Sequence, residues 1–188
     1  SFGQFTPQFD IVGPVTMSKG LAYYGSDNDA KVGEMMTTAC QLVDDKVDFA
    51  SYDSDNDGYV DLVYFIYAGY SESLQQNSSD CIWPKSGTTN IGTFDGKQVW
   101  RYGVNNELNG YPGAFKTAPA KRINGIGLFC HEFSHTMGLP YIYPTTASAR
   151  VDNQAMEYWD IMDVGVYLDN GWCLSPYTPW EREVMLLS

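Results

Sequence analysis

The sequence is short of histidine, short of positive charge and free of long apolar runs, and each shortage removes a class of function. Only 11 lysines and arginines stand against 23 acidic residues, a formal net charge of −12. Phosphate backbones and anionic membrane surfaces are repelled by such a chain, so nucleic acid is not an expected partner. No stretch approaches the roughly 20 apolar residues of a membrane-spanning helix. The opening Ser1-Phe-Gly-Gln-Phe5 carries no charged stretch followed by an apolar one, so no targeting segment is read there. Cys40, Cys81, Cys130 and Cys173 form no Cys-x-x-Cys pair, which argues against a cysteine-built zinc site or a thioredoxin-like motif. Disulfide pairing stays open, with buried free thiols an equal alternative.

What is present reads as an ordinary packed protein rich in turns: 188 residues, 44% hydrophobic, 15% aromatic, 18 glycines. A chain of this length fits one domain, taken as 1–188, and can bury roughly 70% of its unfolded surface. The abrupt apolar end Val184-Met-Leu-Leu-Ser188 suggests a piece of a longer protein.

Periodicity locates the main elements. Asp10-Ile-Val12 and Pro14-Val-Thr16 are short candidate strands. Helical spacing of Val32, Met35, Met36, Ala39, Cys40, Leu42 and Val43 predicts a helix over 29–47, after a capping-type Ser26-Asp-Asn-Asp29. Leu62–Ala68 is dense in β-branched and aromatic residues and reads as a buried strand. Residues 71–96 are polar and read as a long surface excursion, and Gln98–Val104 as a further strand. From Arg122 to Met137 the apolar positions recur at helical spacing, and Gly138 stops the pattern ahead of Pro140.

Both histidines of the chain lie in that last helix, four residues apart, in His131-Glu-Phe-Ser-His135. At 3.6 residues per turn they project from one face, so both imidazoles can reach a single metal ion. Zinc is favoured, because imidazole and carboxylate ligands with one open position are its usual catalytic set. Glu132 stands where a carboxylate can act as general base toward a metal-activated water that attacks a peptide carbonyl. A chance pattern in an amphipathic helix is the bland alternative.

A second cluster, Asp53-Ser-Asp55-Asn-Asp57-Gly58-Tyr59-Val-Asp61, alternates oxygen ligands around a glycine in the sixth position. This is the pattern that wraps calcium, and Asp53, Asp55, Asp57, Tyr59 and Asp61 are its expected ligands. Tyr64 occupies the twelfth position, where a bidentate acid belongs, and a strand follows instead of a helix, so the scaffold is not an EF-hand. A solvated turn rich in Asp and Asn is the alternative.

Gly125-Ile-Gly-Leu-Phe-Cys-His-Glu-Phe-Ser-His-Thr-Met-Gly-Leu-Pro140 resembles the active-site helix of the immune inhibitor A family of bacterial secreted zinc metallopeptidases. Ser1–Phe5, Tyr52–Asp61, Tyr67–Tyr70, Ile82–Pro84, Trp159–Asp163 and Tyr177–Glu183 look like further segments of that family. The resemblance implies an α+β, metzincin-like fold: a twisted mixed sheet packed on a backing helix and an active-site helix, with a turn at Gly138. It also implies secretion, protein or peptide substrates held extended along a sheet edge, and a methionine turn under the metal, for which Met162 is the candidate. A metzincin-like site takes a third ligand six residues after the second histidine, commonly Asp in this family, but here that position is Tyr141. Tyr141, a substitute carboxylate such as Asp163 or Glu181, or a weak site all stand open. The last alternative would make the chain a catalytically silent binding domain stabilised by calcium.

Overall fold

The computed structural model describes residues 6–74, 76–116, 120–146, 148 and 155–187; the side chains of residues 186 and 187 are outside it. Ser1–Phe5, the end of the loop through Pro119 and the final Ser188 lie outside the described residues. Helices α1 (Leu21–Asp29) and α2 (Val32–Val43) precede strands β1 (Val63–Tyr67), β2 (Lys85–Phe94) and β3 (Lys97–Asn106). Helices α3 (Gly127–Thr136) and α4 (Pro179–Leu187) follow, with 3-10 turns at Phe49–Tyr52, Glu157–Trp159 and Val164–Gly171.

The strands form one mixed sheet in the order β1-β3-β2, with β1 parallel and β2 antiparallel to β3. β2 and β3 are joined by Asp95 and Gly96, at φ +49° and +78°, the two-residue hairpin turn whose twist suits adjacent strands. One face of the sheet is closed by α2: Met35, Met36, Cys40 and Val43 are buried against Ile91 and Phe94 of β2 and Val99 and Val104 of β3. The helical spacing of those apolar residues is what aims them at the sheet. On the other side, the Phe129 ring of α3 lies 4.6 Å from the Tyr64 ring of β1. The architecture is therefore α+β, a mixed sheet between a backing helix and the helix that carries the histidines.

Several local expectations are corrected. Residues 10–16 form no strand; Pro14 lacks an N–H for a ladder, and Ile11 is 97% exposed. The polar stretch 71–96 is not all surface excursion, because Lys85–Phe94 is β2. Its polarity reflects a place at the sheet edge, where its only two apolar side chains, Ile91 and Phe94, are buried. Helix α3 begins at Gly127, not Arg122, and Ile123 instead bridges Leu108. Asp29 caps no helix; its buried carboxylate takes the Lys85 ammonium at 2.6 Å and the Trp83 N–H at 3.1 Å, tying α1 to the start of β2. All four cysteines are free thiols.

Gly127 sets how closely the segment after Ile161 and Met162 approaches α3. A Cβ there would lie 2.2 Å from the Val166 carbonyl oxygen, a backbone atom with no freedom to swing away. Gly127→Ala is therefore expected to push the 3-10 segment off α3 and lower stability by roughly 1–3 kcal/mol, as other overpacked sites do. Urea denaturation of the variant beside wild type measures it.

Candidate metal centre

Helix α3 brings His131 and His135 onto one face, and their Nε2 atoms stand 3.2 Å apart. Each ring is held from behind by a main-chain carbonyl: His131 Nδ1 lies 2.7 Å from the Ile161 oxygen, and His135 Nδ1 lies 2.7 Å from the Leu139 oxygen. A carbonyl only accepts, so each Nδ1 donates and carries the proton of the neutral ring. The tautomers follow from these partners. Both Nε2 lone pairs are then left facing one another, an arrangement that a cation between them relieves. Two nitrogens bound tetrahedrally to one zinc at about 2.0–2.1 Å are roughly 3.3–3.4 Å apart, so the pair fits that ion.

Local backbone explains the second carbonyl. Gly138 ends α3 at φ +95°, a left-handed conformation that glycine adopts without strain. Its N–H reaches the His135 carbonyl at 3.0 Å and the Leu139 N–H reaches the Ser134 carbonyl at 3.2 Å. The chain thus folds back so that the Leu139 carbonyl meets His135. The Ile161 carbonyl comes from far along the chain, where Leu139, Ile161 and the fully buried Met162 form a second small core.

Burial holds both imidazoles neutral: it pushes His131 down to about 4 and lowers His135 as well. Glu132, 5% exposed, is pushed the other way by burial, up to about 7. The Ser86 hydroxyl and the Lys85 ammonium offset this in part, although Ser86 Oγ makes no hydrogen bond of normal geometry.

Of the third-ligand candidates, Tyr141 is the one beside the pair, its ring centroid 4.4 Å from that of His135. Tyr143 lies behind it, 5.2 Å from Tyr141 and 6.5 Å from His131 between centroids. The substitute carboxylates are engaged elsewhere. Asp163 accepts from the Glu157 and Val164 N–H groups at 2.5 and 2.7 Å. Glu181 is turned to Thr178, whose N–H and hydroxyl it accepts at 2.6 and 2.8 Å. A cleft runs past His135, lined by Ser86 and Thr88 of β2, Arg101 of β3, and Leu139 and Tyr141.

The sequence profile described as immune inhibitor A peptidase M6, catalytic domain, matches residues 1–184. The chain belongs to the immune inhibitor A peptidase family. It is a metallopeptidase domain by that membership. Among curated proteins, the pre-pro-metalloprotease PrtV of Vibrio cholerae serotype O1 is 24% identical over 192 residues, in strain M66-2 and in strain ATCC 39315 alike. The match covers 89% of this chain and 20% of PrtV, so the chain spans about a fifth of the length of the curated relatives it matches.

In this M6 domain the acidic loop lies just before β1. Carboxylate oxygens of Asp53, Asp55 and Asp57 come within 4.8 Å of one another, a donor set that suits a hard cation. Lys97 already meets one oxygen of Asp53 at 2.5 Å and holds that carboxyl below its ordinary range. Loop N–H groups also bond inward: Asp57 to Asp53 and Asp55, Gly58 to Asp53, and Tyr59 to Asp57. Tyr59 pairs with Gln98 of β3, and Asp61 accepts from the Ser54 N–H at 3.3 Å.

Sequence reasoning missed Ser86, because β2 was read as surface, and both histidine-orienting carbonyls, because a main-chain acceptor has no residue signature. The histidines supply a direct check. Their folded values lie below those of the unfolded chain, so unfolding takes up protons below about 6.5, and this contribution to stability is lost as pH falls. In metal-free protein, His131 is expected to stay neutral down to about pH 4; NMR titration of the two imidazole signals measures it.

Proposed function

We propose that this domain is a zinc-dependent endopeptidase that hydrolyses peptide bonds of protein substrates, with His131 and His135 holding zinc through Nε2 and Glu132 as general base. The observation that carries this reading is the paired Nε2 lone pairs, 3.2 Å apart, each fixed from behind by a carbonyl. Zinc supplies Lewis acidity there, lowering the pKa of water and polarising a peptide carbonyl. Glu132 takes the proton of the attacking water and delivers it to the leaving amine. Its value near 7 suits a group that must accept and return a proton near neutral pH. Tyr141 is the third-ligand candidate the geometry favours. Partial withdrawal from water and the nearby Glu132 raise its phenol, so it would ionise only against a bound cation.

Two further parts of the reading are structural. Calcium in the loop of Asp53, Asp55, Asp57, Tyr59 and Asp61 would neutralise clustered carboxylates and pin the entry of β1. Met162, wholly buried beside Ile161, serves as the floor under the histidines. Secretion from a bacterial cell is supported by the pre-pro form named for the relative; among the described residues no helix is long and apolar enough to cross a membrane.

Elemental analysis and casein cleavage on the same samples test the site. Wild type is expected to carry about one zinc and to cleave. His131→Ala should lose both, whereas Glu132→Gln should keep the metal and lose roughly 10²–10⁴-fold in rate. Weaker zinc retention in Tyr141→Phe would support the third ligand; zinc-loaded wild type that leaves casein intact would sink the proposal. For the loop, saturating calcium is expected to raise Tm by about 5 °C or more, and Asp55→Asn should abolish the shift.

A further inference from the structure

Two acids are fully buried outside the zinc site: Asp160, just before Ile161 and Met162, and Glu181 in the first turn of α4, each 0% exposed. Each has one oxygen engaged. Asp160 Oδ1 accepts the Met162 N–H at 2.7 Å, and Glu181 Oε2 accepts from Thr178. The remaining oxygens, Asp160 Oδ2 and Glu181 Oε1, are buried with no partner of their own, and the two side chains are within hydrogen-bonding reach of each other.

Among the described residues no ion pair compensates them. Among the described residues, the ion pairs join Lys85 to Asp29 and Lys97 to Asp53, and the neighbouring Arg182 donates through Nε to the Tyr177 carbonyl. Tyr177 lies beside both acids, and burial raises its phenol so that it stays protonated. Two adjacent buried carboxylates without a counter-charge are costly, and a single proton between them satisfies both orphan oxygens.

We infer that Asp160 and Glu181 hold one proton between them, in a carboxyl–carboxylate hydrogen bond that fastens α4 to the turn carrying Ile161 and Met162. The pair thereby positions the Ile161 carbonyl that orients His131. That consequence rests on the zinc reading; the bond itself does not. Burial and the Asp160 charge raise Glu181 above its ordinary range, so the bond stabilises the fold at low pH and its contribution is lost as pH rises toward the folded value.

The test uses the Glu132→Gln chain as background, because burial raises the Glu132 carboxyl as well. Infrared difference spectra against the additional Glu181→Gln variant are expected to show a protonated carboxyl band that persists above the ordinary glutamate range and is absent from the variant. As pH rises above the ordinary glutamate range, the background chain should lose up to roughly 3 °C of Tm per pH unit more than the Glu181→Gln chain. Glu181→Gln, whose amide still donates to Asp160, should retain zinc affinity, whereas Glu181→Ala should weaken it roughly tenfold. No such band, or parallel Tm curves, overturns the shared proton. A band with zinc affinity unchanged in Glu181→Ala overturns the positioning role. Absence of peptidase activity bears on neither the band nor the melting curves.

Discussion

Two main-chain carbonyls, those of Ile161 and Leu139, impose the constraint on which the site depends. Helical spacing alone puts two imidazoles on one face; it does not decide which nitrogen is protonated or where each ring plane points. The carbonyls decide both, at 2.7 Å each. The fold is arranged to deliver them: a left-handed glycine turns the chain back after α3, and a bare glycine at its start admits a distant backbone segment to close range. An oriented ligand thus comes from two separate pieces of chain, one local and one distant, which is how outer-shell partners tune a metal.

One physical cause acts with opposite sign on neighbouring groups of α3. Withdrawal from water disfavours whichever form is charged, so the histidines are kept as neutral ligands while Glu132 is brought near 7. The helix therefore presents neutral imidazoles with open Nε2 lone pairs and a carboxyl raised to about 7 without a separate device for each. At Asp160 and Glu181 the same desolvation meets two acids at once.

The parts legible in the sequence were those whose signal is local. His131, Glu132 and His135 share one helical turn, α2 carries its apolar residues at helical spacing, and β1 is a dense run of β-branched and aromatic residues; the burial expected of that run did not follow, because β1 lies at the sheet edge, where Tyr67 alone of its residues is buried and Ile66 is 66% exposed. The edge strand β2 escaped because its outward positions are polar and its buried ones few. Asp10–Val12 and Pro14–Thr16 misled because β-branched residues favour a strand only where a partner strand exists. Ile123 and Ile126 kept helical spacing, yet both are exposed, and the helix starts after them. The acid pair was invisible for a different reason: Asp160 and Glu181 meet only through tertiary packing. Of the two carboxylates offered as substitute ligands, Glu181 is held by Thr178 and Asp163 by the Glu157 and Val164 N–H groups.

The edge position of β2 carries one more consequence. In the β1-β3-β2 sheet this strand pairs with β3 alone, and it forms a wall of the cleft beside His135. A polypeptide that joins such an edge must surrender its own secondary structure over several residues, because its backbone groups are needed for the new ladder. For the proposed endopeptidase, discrimination among protein targets then falls on the target: a folded protein is vulnerable in proportion to the fraction of time its segment spends locally opened. On that footing, two proteins with identical scissile sequences would differ in lifetime by their local unfolding free energies, and a tight bundle would outlast a frayed loop.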